Sequence, residues 1–544
     1  MRNKISPNTF HLLIAITVAI LTTGFLRLQL LNGAPDSDGG FYTFNAQYIY
    51  NVLSNGETLE ELALALYPML TSWVYGLDVN QYILLRLIDG LVAIAASIVL
   101  FKVILKESGS ASFTVILLTP LLVLMNDPIL IGSGFKNSIW VAFLPLFSAL
   151  LIWQNSTKDD KYSFYLIGAL VSLGVLLREP FLVFFILGSI AILIGYGWRV
   201  LLKYLIGSAV LGFTLLGFIL MLRGWDLFNL VNAYLFGESF FLPLKHLIAE
   251  FFIAGTLNLL QSNWFIFTTA TISILYLVKP YFANKRIVSI KRLNFWLAVV
   301  LVAFLEPYFK IGFSYHFANC LPGLAGLSAL GWRYIAIQES KKTQLTLMIL
   351  ISLLSLMIIL PTINKQIVQN SRIFSLSDAS RWVKASDAFR SENMIVRSQL
   401  ISVAAKVYEL SKKNSTLAVS GYWMALYPLT ELLPPKNNLI SKNYSYNLSD
   451  LRGLYLSLNS DQDKLAKIIE DYRPSIIVTS TPSSAKWNGE ADISNIIKKT
   501  NLYEKIAYVP KKFSYEEYLS NEIPSGADPH GSMEAIIYRL KSFK

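Results

Sequence analysis

The sequence predicts a polytopic α-helical membrane protein with about eleven spans, followed by a C-terminal soluble α/β domain. Hydrophobic residues make up 54% of the 544 and charged residues 15%, whereas soluble domains average roughly 45–50% and about 25%. Apolar runs recur as far as Leu360, and an ordinary soluble composition follows. The single cysteine, Cys320, excludes an intramolecular disulfide.

The apolar runs are roughly 16–25 residues long, which is the length that a helix needs to cross a bilayer. They begin near His11, Gln81, Ala111, Ser138, Tyr162, Phe181, Leu201, Gln261, Leu293, Tyr315 and Gln344. The first run is too long for the core of a cleavable signal peptide, so we expect it to remain as a signal anchor.

Basic residues lie in alternate short loops, for example Lys102 and Lys106, Lys158 and Lys161, and the segment Lys285–Arg292. Because Lys and Arg are retained in the cytoplasm, we expect a cytoplasmic N-terminus, an external C-terminal domain and a bacterial plasma membrane location. The net charge of +12 therefore reflects topology, and no nucleic acid partner is predicted.

Two domains are expected: a transmembrane module at 1–362, with its first external loop at 32–80, and an external α/β domain at 363–544. In the second domain, strands are predicted at Thr416–Gly421, Pro474–Thr479 and Ala535–Leu540, with a helix at Asp461–Tyr472.

The first external loop contains two carboxylates, Asp36 and Asp38, just before an apolar stripe at helical spacing. The stripe consists of Phe41, Phe44, Tyr48, Ile49 and Val52. We expect an amphipathic helix that lies in the membrane interface and holds both carboxylates at the level of the lipid headgroups.

The pattern Asp38-x-x-x-Tyr42-x-x-x-Ala46, followed by Leu66-Tyr67-Pro68, resembles the opening of the GT-C glycosyltransferases. It is most similar to the branch of protein O-mannosyltransferases and lipid A aminoarabinose transferases. Those proteins carry an Asp-Glu pair, whereas Gly39 follows Asp38 here, which leaves Asp36 as the substitute carboxylate. Looser similarities lie at Asn126-Asp127-Pro128, Arg178-Glu179-Pro180 and Tyr315-His316-Phe317.

The resemblance implies inverting transfer of a sugar from a polyprenyl-phosphate-linked donor to a cell-envelope glycan, glycolipid or protein on the external face. A base must take the proton of the acceptor hydroxyl, and Asp38, then Asp36, are the candidates. The anionic phosphate requires cations or strong donors, among which Arg178 is preferred because arginine binds phosphate oxygens in a bidentate manner. The other phosphate candidates are His316, Tyr315, Lys136 and Lys310, and the pocket candidates are Tyr42, Tyr67, Asp127 and Glu306.

Each assignment has a structural alternative. Asp36 and Asp38 are also suited to capping the following helix, and Asp127 to capping the turn before Pro128. Arg178 and Glu179 are also compatible with a turn in which their two charges neutralise each other, and His316 is compatible with a residue that anchors its span at the membrane interface. A divalent cation, Mg²⁺ or Mn²⁺, is compatible with Asp36 and Asp38, but the sequence decides neither for nor against it.

Two charged residues lie within the second predicted span. Arg86 and Asp89 are three residues apart and are expected to neutralise each other while facing the bundle.

The alternative function is a surface-polysaccharide polymerase or ligase that uses a lipid-linked oligosaccharide. A transporter is less favoured, because the spans carry few other charges at mid-membrane.

Overall fold

The computed structural model shows a helical bundle joined to a small C-terminal sheet. It describes residues 7–28, 37–55, 66–78, 81–126, 138–222, 256–257, 259–260, 263–282, 290–305, 318–374, 397–412, 414–419, 423, 426–430, 432, 466, 469–481, 493–509 and 534–541. Together these segments confirm the predicted fold class.

The chain begins with α1 (Pro7–Ala19), which continues through a π-helical turn (Ile20–Gly24) into α2 (Phe25–Leu28). The first loop contains α3 (Ser37–Ser54), α4 (Leu66–Thr71) and a 3₁₀ helix (Ser72–Gly76). The bundle then continues with α5 (Gln81–Ser108), α6 (Ala111–Met125), α7 (Ser138–Asn155), α8 (Ser163–Leu177), α9 (Leu182–Tyr196), α10 (Trp198–Leu222), α11 (Trp264–Phe282), α12 (Ile290–Ala303), α13 (Leu321–Gln338) and α14 (Lys341–Phe374).

Helices occupy the apolar runs that the sequence predicts to be spans. By length and composition, five of the described helical segments are long and apolar enough to cross a membrane, and five shorter helices are also apolar. The number of spans stays a prediction. The last helix of the bundle, α14, continues across the expected domain boundary at residue 362 and ends at Phe374.

Tight turns reverse the chain between neighbouring helices. Between α5 and α6, Gly109 adopts a φ of 69°, a conformation that favours glycine. Ser110 then caps α6 by accepting a hydrogen bond from the Phe113 amide at 3.3 Å. Gly197, with a φ of 87°, makes the corresponding turn between α9 and α10. Because these two connections are short, α5 runs antiparallel to α6, and α9 antiparallel to α10.

Glycines let α8 and α10 approach closely. A Cβ atom added to Gly168 on α8 would overlap the carbonyl oxygen of Tyr204, and one added to Gly207 on α10 would overlap that of Tyr165. The Ser208 hydroxyl donates to the Gly168 carbonyl oxygen at 2.9 Å, which links the two backbones directly. Small residues and interhelical hydroxyl bonds of this kind are typical of helix packing in membranes.

The C-terminal region contains α15 (Arg397–Leu410), β1 (Leu417–Val419), α16 (Leu426–Thr430), β2 (Ile476–Ser480), α17 (Ile493–Thr500), β3 (Tyr503–Val509) and β4 (Ala535–Leu540). The four strands form a mixed sheet of order β1-β2-β4-β3. Strands β1 and β2 pair in parallel, whereas β4 pairs antiparallel with both β2 and β3. The three predicted strands coincide with β1, β2 and β4, and the edge strand β3 was not predicted from the sequence.

Candidate functional site

The helix that carries Asp38 begins immediately before it, since α3 spans Ser37–Ser54. Asp38 therefore lies in the first turn, the position that both the catalytic and the capping interpretations require. The adjoining 3₁₀ helix holds one side of α3: the Tyr75 hydroxyl donates to the Thr43 carbonyl oxygen at 3.0 Å. The Tyr50 ring lies so close to Gly76 that an added Cβ atom would come within 2.9 Å of it.

The opposite side of α3 packs against the C-terminal domain. Phe44 and Ile49 are buried in one hydrophobic cluster with residues of α15, α16 and the sheet. The expectation that this stripe lies in the lipid interface is therefore wrong for Phe44 and Ile49, because the C-terminal domain covers them. Asn45 and Gln47, which lie between the apolar positions of this stripe, are buried as well. Among the described residues, no group donates to Asn45 Oδ1 or Gln47 Oε1.

A buried polar network joins α2, α5 and α6 near this loop. Arg27 on α2 forms an ion pair with Asp89 on α5, and its Nε donates to Asn126 Oδ1 at 3.0 Å. Asn126 Nδ2 donates in turn to Thr23 Oγ1 at 3.2 Å, and the Thr23 and Ser97 hydroxyls lie 2.9 Å apart. The network holds the ends of three helices together directly before the segments that carry Asp38 and Asp127.

Arg86 and Asp89 both face the interior, with 4% and 2% of their surfaces exposed. The sequence predicts that they neutralise each other, whereas the structure adds Arg27 as an ion-pair partner of Asp89. The charges of both arginines act on the carboxylate. Two guanidinium groups are thus concentrated around one carboxylate among the described residues at this end of the bundle.

Aromatic rings connect this network with Arg178. The Arg27 guanidinium lies 6.0 Å from the centre of the Trp140 ring, and Trp140 lies 6.3 Å from Phe143. Phe143 in turn lies 5.2 Å from Phe181, above which the Arg178 guanidinium is placed at 5.6 Å. A continuous row of rings therefore separates two buried arginines at the same end of the bundle.

Arg178 terminates α8 with extended backbone, and only 8% of its surface is exposed. Its amide donates to the Gly174 carbonyl oxygen at 3.0 Å, and its carbonyl oxygen accepts from the Phe181 amide at 3.0 Å. This backbone geometry fixes the side chain at the end of α8, where the sequence predicts a phosphate contact.

The structure places four of the predicted site residues. Asp38 and Tyr42 lie on α3, Tyr67 is buried on α4 within electrostatic range of Arg27, and Arg178 follows α8. All four belong to the same end of the bundle, which we call the α3 end. The remaining predicted residues lie outside the described part of the chain: Asp36, Asp127, Lys136, Glu306, Lys310, Tyr315 and His316.

Sequence reasoning missed Arg27 and Trp140, and it noted Asn126 only as part of Asn126-Asp127-Pro128, not as a partner of Arg27. A basic residue inside the first apolar run was the available signal, since a charge at that depth requires a partner. Among the described residues, no three His, Cys, Asp or Glu side chains are grouped; Asp36 lies outside them, so the Mg²⁺ or Mn²⁺ prediction stays a prediction.

Comparison with known proteins gives similarity of structure alone. No family model matches the chain, and no curated protein matches it in sequence. The chain is similar to ArnT from Cupriavidus metallidurans bound to undecaprenyl phosphate, with a TM-score of 0.52, 10% identity and 99% of each chain covered. For the apo state of that ArnT, the TM-score is 0.52, the identity 11% and the coverage 98% of each chain. This likeness confirms the predicted GT-C-like fold along the whole chain.

Proposed function

We propose that the chain is a membrane glycosyltransferase that transfers a sugar from a polyprenyl-phosphate-linked donor to a cell-envelope glycan, glycolipid or protein acceptor, with inversion. The observation that carries the proposal is the likeness to ArnT over 99% of the chain, together with the position of Asp38 in the first turn of α3. The ArnT in that comparison is bound to undecaprenyl phosphate, which is the class of lipid phosphate that we propose here.

Asp38 is the proposed base. It removes the proton of the acceptor hydroxyl as the oxygen attacks the anomeric carbon, and the bond to the lipid phosphate breaks on the opposite face of the sugar. General base catalysis of this kind contributes roughly 10²–10⁴-fold to the rate. Asp36, two residues earlier, is the second candidate for this role.

Arg178 is the proposed phosphate ligand. Charge develops on the lipid phosphate as the glycosidic bond breaks, and a buried guanidinium stabilises that charge more strongly than an exposed one. Arg178 is buried and rests on the Phe181 ring, which leaves its orientation little freedom. His316, Tyr315, Lys136 and Lys310 remain the further proposed ligands, and Mg²⁺ or Mn²⁺ remains a proposed addition.

The test is transfer of radiolabelled sugar from a panel of polyprenyl-phosphate sugars in membranes that contain the wild-type protein or Asp38→Asn. We expect the wild type to consume one donor and Asp38→Asn to be at least 100-fold slower at equal protein level. The control is Asp159→Asn, which removes one exposed carboxylate from the turn between α7 and α8.

The alternative function has its own outcome in the same assay. A wild-type protein that consumes none of the monosaccharide donors but transfers a preassembled lipid-linked oligosaccharide is a polymerase or ligase. Equal turnover by Asp38→Asn and wild type would instead remove Asp38 as the base while leaving the class of reaction in place.

A further inference from the structure

At the end of the bundle opposite α3, three cations from three helices converge. They are Lys106 on α5, Arg292 on α12 and Arg333 on α13, which we call the basic cluster. Arg333 Nη1 donates to the Lys106 carbonyl oxygen at 3.4 Å, and the charge of Arg292 acts on Lys106. Lys106 Nζ also donates to Asn155 Oδ1 on α7, so a fourth helix joins the cluster.

One buried carboxylate organises these cations. Glu107, with 4% of its surface exposed, accepts a hydrogen bond from Gln154 Nε2 at 2.7 Å and lies 3.6 Å from Arg292 Nη1. The Arg292 side chain remains 49% exposed. Three cations against one carboxylate leave the described cluster with a net charge of +2, and Lys102 and Lys291 lie exposed on the same helices.

The other charges at this end do not cancel the excess. The turn between α7 and α8 contains Asp159 and Asp160 together with Lys158 and Lys161, so its formal charges sum to zero. Asp160 is engaged within that turn, where it accepts from the Thr157 amide at 2.8 Å. The basic cluster therefore stays attractive to an anion.

An apolar cavity of about 110 Å³ begins beside the basic cluster. Trp153 immediately precedes Gln154, and Phe295 lies one turn after Arg292; their rings meet edge to face at 4.6 Å, and both line the cavity. Leu150, Phe184 and Val299 continue the lining between α7, α9 and α12. An engineered apolar cavity of roughly 150 Å³ binds benzene, so this cavity is in the size range that holds an apolar group.

We propose that the basic cluster and the cavity together bind one anionic phospholipid, with its phosphate on Lys106, Arg292 and Arg333 and an acyl chain in the cavity. Basic residues that only set topology need not converge from several helices, nor adjoin an apolar slot. An anionic headgroup above an apolar chain matches both features, as in known headgroup sites between transmembrane helices. The phosphate position is separate from the proposed donor phosphate position, because the basic cluster lies at the opposite end of the bundle from Arg178, although the cavity lining reaches Phe143.

The first test is native mass spectrometry of the delipidated full-length protein, titrated with dioleoyl phosphatidylglycerol or dioleoyl phosphatidylcholine. We expect at least tenfold tighter binding of the first phosphatidylglycerol, and loss of that preference in the double variant Arg292→Gln/Arg333→Gln. The matched control is Lys341→Gln/Lys342→Gln, which removes the same charge from exposed positions at the start of α14. An equal loss in both double variants would show diffuse surface attraction and overturn the proposal.

The second test concerns the acyl chain and the identity of the lipid. Glycerophosphoglycerol has the same headgroup and no acyl chain, and we expect it to bind at least tenfold more weakly because it buries no methylene groups. Equal affinity would show that the cavity is not used and would overturn the proposal. Tighter binding of undecaprenyl phosphate, lost in the same double variant, would also overturn it, because the site would then belong to the donor lipid.

Discussion

The Phe44 ring on α3 lies 4.3 Å from the Tyr427 ring on α16, although 383 positions separate the two residues in the chain. Both side chains have only 1% of their surface exposed. Burial raises the pKa of the Tyr427 phenol, which stays neutral in this apolar cluster. The C-terminal domain thus covers the helix whose first turn carries Asp38, and it fixes the direction of that helix.

Loss of this contact is expected to weaken both stability and turnover. Phe44→Ala removes a fully buried ring, which typically costs about 3–5 kcal/mol in the free energy of unfolding. Because α3 is then held on one side only, we expect kcat to fall more than KM rises for the proposed transfer. Thermal unfolding and steady-state kinetics of the purified variant measure the two effects.

Leu53→Ala provides the control on the same helix. Leu53 is 38% exposed, and substitutions at such positions usually change stability by less than about 0.5 kcal/mol. A melting temperature for Phe44→Ala equal to that of Leu53→Ala would show that the C-terminal domain does not hold α3.

The same contact shows what sequence can and cannot predict. The spacing of Phe44, Tyr48 and Ile49 predicts a helix correctly, because periodicity is a local property. The surface that covers the stripe is distant in the chain, and an apolar face packs equally well against lipid or protein. Helices also lie where apolar runs of bilayer length predict them, because the length of an apolar run is likewise a local property of the sequence.

Two other features depended on tertiary structure. The edge strand β3 carries Glu504 and Lys505, so its exposed face breaks the apolar pattern by which β2 and β4 are predicted. The ion pair of Arg27 with Asp89 joins helices 62 positions apart, whereas the sequence suggested only the partner three residues away. Asp38 and Arg178 lie at the same end of the bundle. The sequence predicted this, because both residues fall in loops that the alternation of the predicted spans places on the external side.

Removal of one member of the Arg27–Asp89 pair is expected to destabilise the bundle strongly. Arg27→Met leaves a buried carboxylate with one cation fewer, and breaking a buried pair costs about 3–5 kcal/mol. Asp89→Leu leaves both Arg27 and Arg86 buried without that carboxylate, so we expect the double variant Arg27→Met/Asp89→Leu, which removes one of the two guanidinium groups, to be more stable than Asp89→Leu alone. Melting temperatures of the four proteins in detergent complete the cycle.

Arg199→Gln is the control for the loss of a guanidinium, since Arg199 is exposed and rests on the Trp198 ring at 5.7 Å. We expect its melting temperature to stay near that of the wild type. If the double variant is less stable than Asp89→Leu, other partners of the network, such as Asn126, require the Arg27 guanidinium.

The α8–α10 crossing is expected to tolerate no side chain at its glycines. Gly168→Ala places a Cβ atom against the Tyr204 carbonyl oxygen, so the helices must separate and the Ser208 bond to the Gly168 carbonyl oxygen is lost. Gly217→Ala on α10 is the matched control, because nothing lies within 4 Å of its added Cβ atom. We expect a clear drop in melting temperature for the first variant and none for the second; equal values would show that the helices separate without cost.

Arg178 is expected to show a graded response if it binds the donor phosphate. Arg178→Lys keeps the charge but loses bidentate geometry, whereas Arg178→Gln loses both. A hydrogen bond to a charged group is worth about 1.5–3 kcal/mol, so we expect kcat/KM for the donor to fall roughly 10- to 100-fold in Arg178→Gln and less in Arg178→Lys.

The control is Lys158→Gln, at the opposite end of the bundle, which should leave kcat/KM unchanged. A purely structural role would lower the melting temperature of both Arg178 variants together with their activity, and raising the donor concentration would recover none of the loss.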